Sequence, residues 1–342
     1  MPELIIKTLT PLEFLNEESL LKDILDKVNN TADLSKTVFD DSNILLELPD
    51  SAVERYVVRR QHSSRAYEVK KELPTQTLLS LPPSSELIVM YTVDEAENEG
   101  TAICIRNFIK SLNKGKIRLG ENTTLGKGRC FCTNITADIP EFANAMEKSG
   151  FKNEQKDFGQ KKQVWIPGTE NSIVVYAHSE EGIFIADNSK KTKEYSITND
   201  AGEFIIPAST WKGIFRNASN DWVSYLEDTD NSVIDRMFGN HSKGIKGCLV
   251  FYESVIKNPM IISRSRIHID KFSAAIMDDR IFKRNYVAGD IKLVIECTAD
   301  NLEPFKKYIF SVLRDLNTKR INIGADKGIG KGFIEIDNVE VK

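Results

Sequence analysis

The sequence predicts an α+β protein in which one module occurs twice. Two glycine-rich segments, Ile117–Gly128 (IRLGENTTLGKG) and Ile321–Gly332 (INIGADKGIGKG), match at a constant offset of 204 residues. The same offset relates apolar residues upstream, whose i, i+3, i+4, i+7 spacing predicts an amphipathic helix in each copy. A strand-like run precedes each helix, at 86–92 and at 290–298. Because shared spacing over about 30 residues indicates an internal repeat, we predict a duplication.

Each copy is expected to run, in order, through a strand, a helix, a short strand, a glycine loop and a closing strand. The matching positions upstream of the loops include Asn113 and Asn317. The short strands are expected at 116–119 and 320–323, and the closing strands at 129–133 and 333–336.

The domain boundaries follow from the repeat and from a polar stretch between the copies. Residues 147–163 are charged and lack an apolar period, which is typical of a linker or surface excursion. We therefore predict an N-terminal module over 1–155, a linker over 156–170 and a C-terminal module over 171–342.

Composition places the chain among globular proteins. The 342 residues are 41% hydrophobic and 28% charged, which excludes a disordered or collagen-like chain. No apolar run is long enough to span a membrane, and the first residues do not resemble a secretory signal. The five cysteines are scattered without a CxxC pair, so neither a disulfide framework nor a zinc site is indicated. We expect a cytoplasmic protein.

The net charge of −4 by itself argues against a nucleic-acid partner, which usually requires a basic domain. The charge is unevenly distributed, however. Residues 1–54 hold four lysines and no arginine against twelve acidic residues, a net charge of −8, so the other 288 residues carry +4. The larger part of the chain can therefore support basic surfaces.

The glycine loops are the first candidate binding sites. Consecutive amides in such a loop can form a concavity that binds anions, and a lysine between two glycines adds a positive charge. The spacing fits neither a P-loop nor a dinucleotide-binding fingerprint, and a pair of tight structural turns is the alternative. The candidate residues are Gly126, Lys127, Gly128, Gly324, Gly328, Gly330, Lys331 and Gly332.

The segment 206–217 (IPASTWKGIFRN) is the second candidate. A helix is expected to start near Trp211, with Ser209 or Thr210 as its N-cap. Lys212 and Arg216 are then four residues apart on one face. Hydroxyls, free amides and two cations at a helix start suit a backbone phosphate. A capped surface helix with solvated charges is the alternative.

Basic strand faces are the third candidate. Residues 263–270 (SRSRIHID) alternate with the strand period, which places Arg264 and Arg266 on one face. Arg59 and Arg60 form a similar cluster in the first copy. A basic face with aromatic residues nearby suits single-stranded RNA, whereas a solvated strand face is the alternative.

Signals for catalysis are weak. The four histidines show no metal-binding spacing, and no nucleophile motif is present. Asp187 follows a predicted strand and is a candidate metal ligand or base, although a solvated loop aspartate is the simpler interpretation.

At these residues the chain resembles the RAMP superfamily of CRISPR effector proteins, and its second module resembles the backbone subunits of type III complexes. The motifs occur in the order that the family shows. They are a P-x-S-[ST]-x-K-G-x-x-R segment at Pro207–Arg216, an F-G turn at Phe238-Gly239, Arg266–Asp270, Tyr286–Gly289 and the glycine loop Gly324–Gly332. The first module keeps the helix and the glycine loop but lacks the first of these motifs.

The resemblance implies two ferredoxin-like (RRM-like) RAMP modules with antiparallel sheets, the first of them degenerate. It further implies a subunit that binds CRISPR RNA, positions the guide for pairing with target RNA, and assembles with other RAMP subunits, without a membrane partner. Type III backbone subunits also cut target RNA, and Asp187 is the nearest match to their aspartate. No resident cofactor is then expected, apart from Mg²⁺ or Mn²⁺ if the chain cleaves target RNA.

Two other functions remain open. One is a metal-independent endoribonuclease that processes precursor CRISPR RNA, which would need a general acid or base near the scissile phosphate. The other is a capping or adaptor subunit that binds mainly protein, with which the acidic segment 1–54 is compatible.

Overall fold

The computed structural model describes residues 3–31, 44–49, 53–57, 76–92, 98–136, 167–168, 171–186, 196–199, 201–225, 232–269 and 276–342. The chain divides into two compact units, Met1–Trp165 and Ile166–Lys342. The predicted linker 156–170 lies outside the described residues except for 167 and 168, so its boundaries stay a prediction.

In its described residues, the first unit contains two antiparallel sheets and two helices. Its elements are β1 (Glu3–Thr8), β2 (Leu12–Phe14), α1 (Glu17–Asn30), β3 (Ile44–Glu47), β4 (Val53–Val57), β5 (Gln76–Leu81), β6 (Glu86–Tyr91), α2 (Asn98–Asn113) and β7 (Cys130–Thr136). The main sheet has the order β3-β6-β1-β7, and β2, β5 and β4 form a smaller one. The apolar stripe predicted for α2 is confirmed, since Phe108 and Leu112 are fully buried in the core of this unit.

The second unit is built on one larger antiparallel sheet. Its elements are β8 (Ser172–Ile183), β9 (Ile205–Ile206), α3 (Ala208–Tyr225), α4 (Ser232–Phe238), β10 (Leu249–Phe251), β11 (Ser254–Ile269), β12 (Ile276–Cys297), α5 (Glu303–Asn317) and β13 (Glu335–Val341). The strands lie in the order β13-β8-β12-β11-β9, and β10 also pairs with β12. The prediction of an α+β fold with antiparallel sheets is therefore confirmed.

The order of the four main strands is that of a split β-α-β-β-α-β arrangement. Along the chain β8 is the first main strand, β11 the second, β12 the third and β13 the fourth, and across the sheet they lie as fourth, first, third, second. In the first unit β1, β3, β6 and β7 lie in the same relative order.

The 204-residue offset persists in the backbone. Helices α2 and α5 end at Asn113 and Asn317, two residues that the offset relates. Each asparagine accepts a backbone hydrogen bond from the closing strand: Cys132 N lies 2.8 Å from Asn113 Oδ1, and Ile336 N lies 2.9 Å from Asn317 Oδ1. Each glycine loop contains a single 3₁₀ turn, at Thr123–Leu125 and Lys327–Ile329.

The short strands predicted at 116–119 and 320–323 are wrong. Neither segment joins a sheet, because the glycine loop folds back on it instead. Leu119 N donates to Gly128 O and Ile323 N donates to Gly332 O, both at 2.8 Å. The second closing strand also begins two residues later than predicted, at Glu335.

The β11–β12 hairpin extends beyond the sheet. Strand β8 pairs with β12 only from Val287 to Glu296, whereas β11 and β12 stay paired with each other as far as Ile269 and Ile276. Within the described ranges, the outer half of this hairpin is therefore a two-stranded arm. None of the helices in those ranges is both long and apolar enough to cross a membrane.

Candidate nucleic-acid interface

Helix α3 begins at Ala208, three residues before the predicted start, so Ser209 and Thr210 lie in its first turn rather than at its N-cap. The carbonyl of Pro207 accepts hydrogen bonds from the amides of Thr210 and Trp211, at 2.9 and 3.3 Å. Trp211 fixes this turn against the sheet, because its ring is fully buried and its Nε1 donates to Ser254 Oγ at 3.0 Å. The side chain of Ser209 is exposed.

Lys212 and Arg216 occupy one face of α3, one turn apart, and both are half-buried. Burial of the Lys212 amine, together with the nearby charge of Arg216, lowers the pKa of Lys212 to about 8. An anion bound beside Lys212 would favour the charged amine and so raise its pKa again. The structure thus brings together the two cations that the sequence placed on one helix face.

Asp235 of α4 is the acidic residue beside this face. Its carboxylate accepts hydrogen bonds from Lys243 Nζ at 2.8 Å and from Asn240 Nδ2 at 2.9 Å. These contacts, with a smaller contribution from the charge of Arg216, lower the pKa of Asp235. The predicted turn at Phe238-Gly239 follows directly, and Gly239 has a φ of +84°.

Two glycines of the second loop are required by packing. Gly324 has a φ of +81°, and a Cβ there would lie 2.3 Å from the carbonyl oxygen of Phe184 on the segment after β8. At Gly332, with a φ of +79°, a Cβ would lie 2.0 Å from Ile323 O. Gly330 caps the 3₁₀ turn at a φ of +78°. Gly328, in contrast, is exposed at the loop tip with open space around it.

Lys331 does not extend into solvent. Its side chain is only 10% exposed, and Nζ donates to the backbone oxygen of Glu181 at 2.8 Å and to its carboxylate at 2.9 Å. The ammonium also lies 5.4 Å from the centre of the Tyr286 ring. Lys331, which the sequence predicted as a phosphate contact, therefore bonds the glycine loop to β8.

The first glycine loop has the same backbone but already holds a carboxylate. Gly126 and Gly128 have φ values of +80° and +68°. Glu13 is buried, its Oε2 accepts a hydrogen bond from Asn122 Nδ2 at 2.8 Å, and its Oε1 lies 3.8 Å from Lys127 Nζ. This arrangement favours the alternative that the first loop is a tight structural turn and does not bind an anion.

Sequence reasoning missed Arg284 at the base of the hairpin arm, and it gave Tyr286 and Asp326 no role of their own within the motifs that contain them. Asp326 lies in the second glycine loop with a φ of +64°. Its carboxylate forms an ion pair with Arg284 and accepts a hydrogen bond from the Tyr286 hydroxyl at 2.5 Å. Asp and Asn favour the left-handed backbone conformation that Asp326 adopts. The sequence could not predict its ion pair with Arg284, because that pair depends on the strand register of β12.

Four predicted residues cannot be placed fully. Arg59, Arg60 and Asp187 lie outside the described residues, and of Arg266 only the backbone is described, paired in register with Phe282. Among the residues that the structure does describe, no group of three or more His, Cys, Asp or Glu side chains could hold a metal ion.

The comparisons with known proteins concern the second unit above all. No curated protein matches the chain. The family model for the RAMP superfamily matches residues 164–335, which is half of the chain and includes α3, the hairpin and the second glycine loop. The chain belongs to the RAMP superfamily.

Proposed function

We propose that the chain is a CRISPR RNA-binding subunit of a type III or related multisubunit RNA-guided effector, in which it positions the guide for pairing with target RNA beside other RAMP subunits. The observation that carries this proposal is the half-buried pair Lys212 and Arg216 on the first turns of α3. The pair lies inside the segment that the family model matches.

The geometry of this segment suits an RNA backbone. A phosphate beside Lys212 would offset the repulsion from Arg216 and the cost of burying the amine, which together lower the pKa of Lys212. The exposed hydroxyl of Ser209 adds a neutral donor on the same turn. Because phosphate contacts carry no sequence information, one such site serves guides of any sequence.

We infer that the first unit is a degenerate RAMP module. The relative order of its main strands matches that of the second unit, and its glycine loop repeats the same φ pattern at the 204-residue offset. Its loop, however, is neutralised by Glu13. The main RNA contacts are therefore assigned to the second unit.

A filter-binding titration with repeat-derived RNA tests the proposal. The double variant Lys212→Glu, Arg216→Glu should bind at least about a hundredfold more weakly, since each charged contact contributes roughly 1.5–3 kcal/mol. Its salt slope should fall by about 1.4, or about 0.7 for each lost phosphate contact on a single strand. The matched control is Lys307→Glu, Arg314→Glu, the same change of charge on α5. Equal affinities for the two double variants would contradict the proposal.

Incubation with precursor repeat RNA in EDTA separates the proposal from a processing enzyme. Sharp cleavage by the chain alone in EDTA would replace the proposal with an endoribonuclease. A metal-dependent cut in guide-paired target RNA that Asp187→Ala abolishes would add target cleavage to the RNA-binding role. Weak RNA affinity combined with stable binding to partner subunits would favour an adaptor.

A further inference from the structure

Two arginines lie directly opposite each other on the hairpin arm. In the register of β11 and β12, Arg264 pairs with Arg284, between the pairs Ser263–Asn285 and Ser265–Lys283. Directly opposed residues of an antiparallel pair have Cβ atoms about 5 Å apart, and like charges in this position are destabilising. A fold that keeps two guanidinium groups there gains from an anion that binds between them.

Arg284 is held in place before any ligand binds. Its guanidinium contacts the carboxylate of Asp326 and lies 5.2 Å from the centre of the Phe184 ring. The side chain is nevertheless 30% exposed. Arg284 also has a side-chain hydrogen bond with Tyr286. Because a planar guanidinium presents five donors in a fixed fork, these partners leave donors available to a second anion.

Arg264 supplies the second cation from the neighbouring strand. It is exposed, and its charge lies near enough to Glu181 to contribute to the lowered pKa of that carboxyl, behind the larger effect of Lys331. Arg264, Arg284 and Lys331 thus lie at the base of the arm with the carboxylates of Asp326 and Glu181, and the charge of Lys319 also acts on Glu181.

We propose that Arg264 and Arg284 together bind one phosphodiester of single-stranded RNA, at the point where the hairpin leaves the sheet. This inference rests on the proposed function and adds to it a contact separate from the start of α3. The contacts of Arg284 with Asp326 and Phe184 reduce the side-chain entropy that binding would otherwise cost.

Fluorescence-anisotropy titration of the purified full chain tests the site with two probes, a labelled oligouridylate and inorganic polyphosphate as a competitor. Arg264→Gln and Arg284→Gln should each weaken RNA binding about tenfold, and loss of the shared phosphate in the double variant should reduce the salt slope by about 0.7. The double variant should lose less than the product of the two single losses, because both side chains contact one phosphate. Arg314→Gln on α5 is the matched control and should bind as the wild type does.

Arg284→Lys separates binding from a structural role. It keeps the charge but loses the fork, so the salt slope should stay at the wild-type value while affinity falls by less than for Arg284→Gln. A role in stability alone would lower the melting temperature without changing the salt slope of the folded protein.

The outcomes distinguish this site from the proposed function. If the wild type binds RNA and Arg284→Gln matches Arg314→Gln, the arginine site is overturned and the proposed function stands. If the wild type binds polyphosphate through the pair but no RNA, an anion site remains, while its assignment to RNA and the proposed function both fail. Binding of neither probe overturns both.

Discussion

Lys212 is predicted to cost the folded protein stability at neutral pH. The pKa of its amine falls from 10.5 in a solvated lysine to about 8 in the fold, first through burial and then through the charge of Arg216. At 1.36 kcal/mol for each pH unit, keeping this amine charged costs at most about 3 kcal/mol below pH 8. The variant Lys212→Met keeps an unbranched side chain of similar length and removes the charge.

The sign of the pH dependence follows from linkage. Because the folded pKa lies below the unfolded one, the unfolded chain binds more protons between about pH 8 and pH 10.5. The wild type should therefore gain stability from this residue as the pH rises through that range, relative to Lys212→Met. Below pH 8 the variant should be more stable by about 1–3 kcal/mol.

Urea denaturation of the wild type and the variant at pH 7 and at pH 9.5 gives their stability difference at each pH, provided that the two proteins have equal m values. Ser209→Ala, an exposed substitution on the same turn, is the control for effects of pH that do not involve Lys212. A Lys212→Met variant that is less stable at pH 7, or whose stability difference from the wild type does not change with pH, would show that burial does not lower the pKa of Lys212. The same variant should bind RNA more weakly, so that one substitution stabilises the fold and impairs the site.

Three further predictions concern packing and the sheet edge. Gly332→Ala should destabilise the second unit by about 2–3 kcal/mol in urea, since its Cβ would meet a backbone oxygen at positive φ, whereas Gly328→Ala should stay within about 0.5 kcal/mol. Trp211→Phe should cost about 1–3 kcal/mol, because it leaves a buried hydroxyl without its donor, and no such loss would contradict this account of the helix start. The hydrogen bond with Asp337 raises the pKa of His178, so NMR titration should show a higher pKa in the wild type than in the Asp337→Asn variant. The small stabilisation from this bond is present at low pH and is lost as the pH rises through the folded pKa.

The features that the sequence predicted are those with a local physical cause. Two amphipathic helices follow from side-chain periodicity, and both end at asparagines that the 204-residue offset relates. The paired loops follow from glycines that the backbone requires at positive φ, as at Gly324 and Gly332.

The features that it did not predict depend on contacts between distant residues. The segments at 116–119 and 320–323 have strand-like composition, but the glycine loop takes the hydrogen bond that a neighbouring strand would have formed. Helix α3 begins early because Trp211 anchors its first turn to β11. The ion pair between Arg284 and Asp326 joins residues 42 positions apart and depends on the strand register.

Sequencing of the RNA that co-purifies with the chain, expressed together with its genomic neighbours, decides whether the chain binds CRISPR RNA. We expect a discrete small RNA that carries CRISPR repeat sequence, and we expect its loss from the Lys212→Glu, Arg216→Glu variant but not from Lys307→Glu, Arg314→Glu. Complexes that assemble without RNA, or that hold only a random sample of cellular RNA, would contradict it.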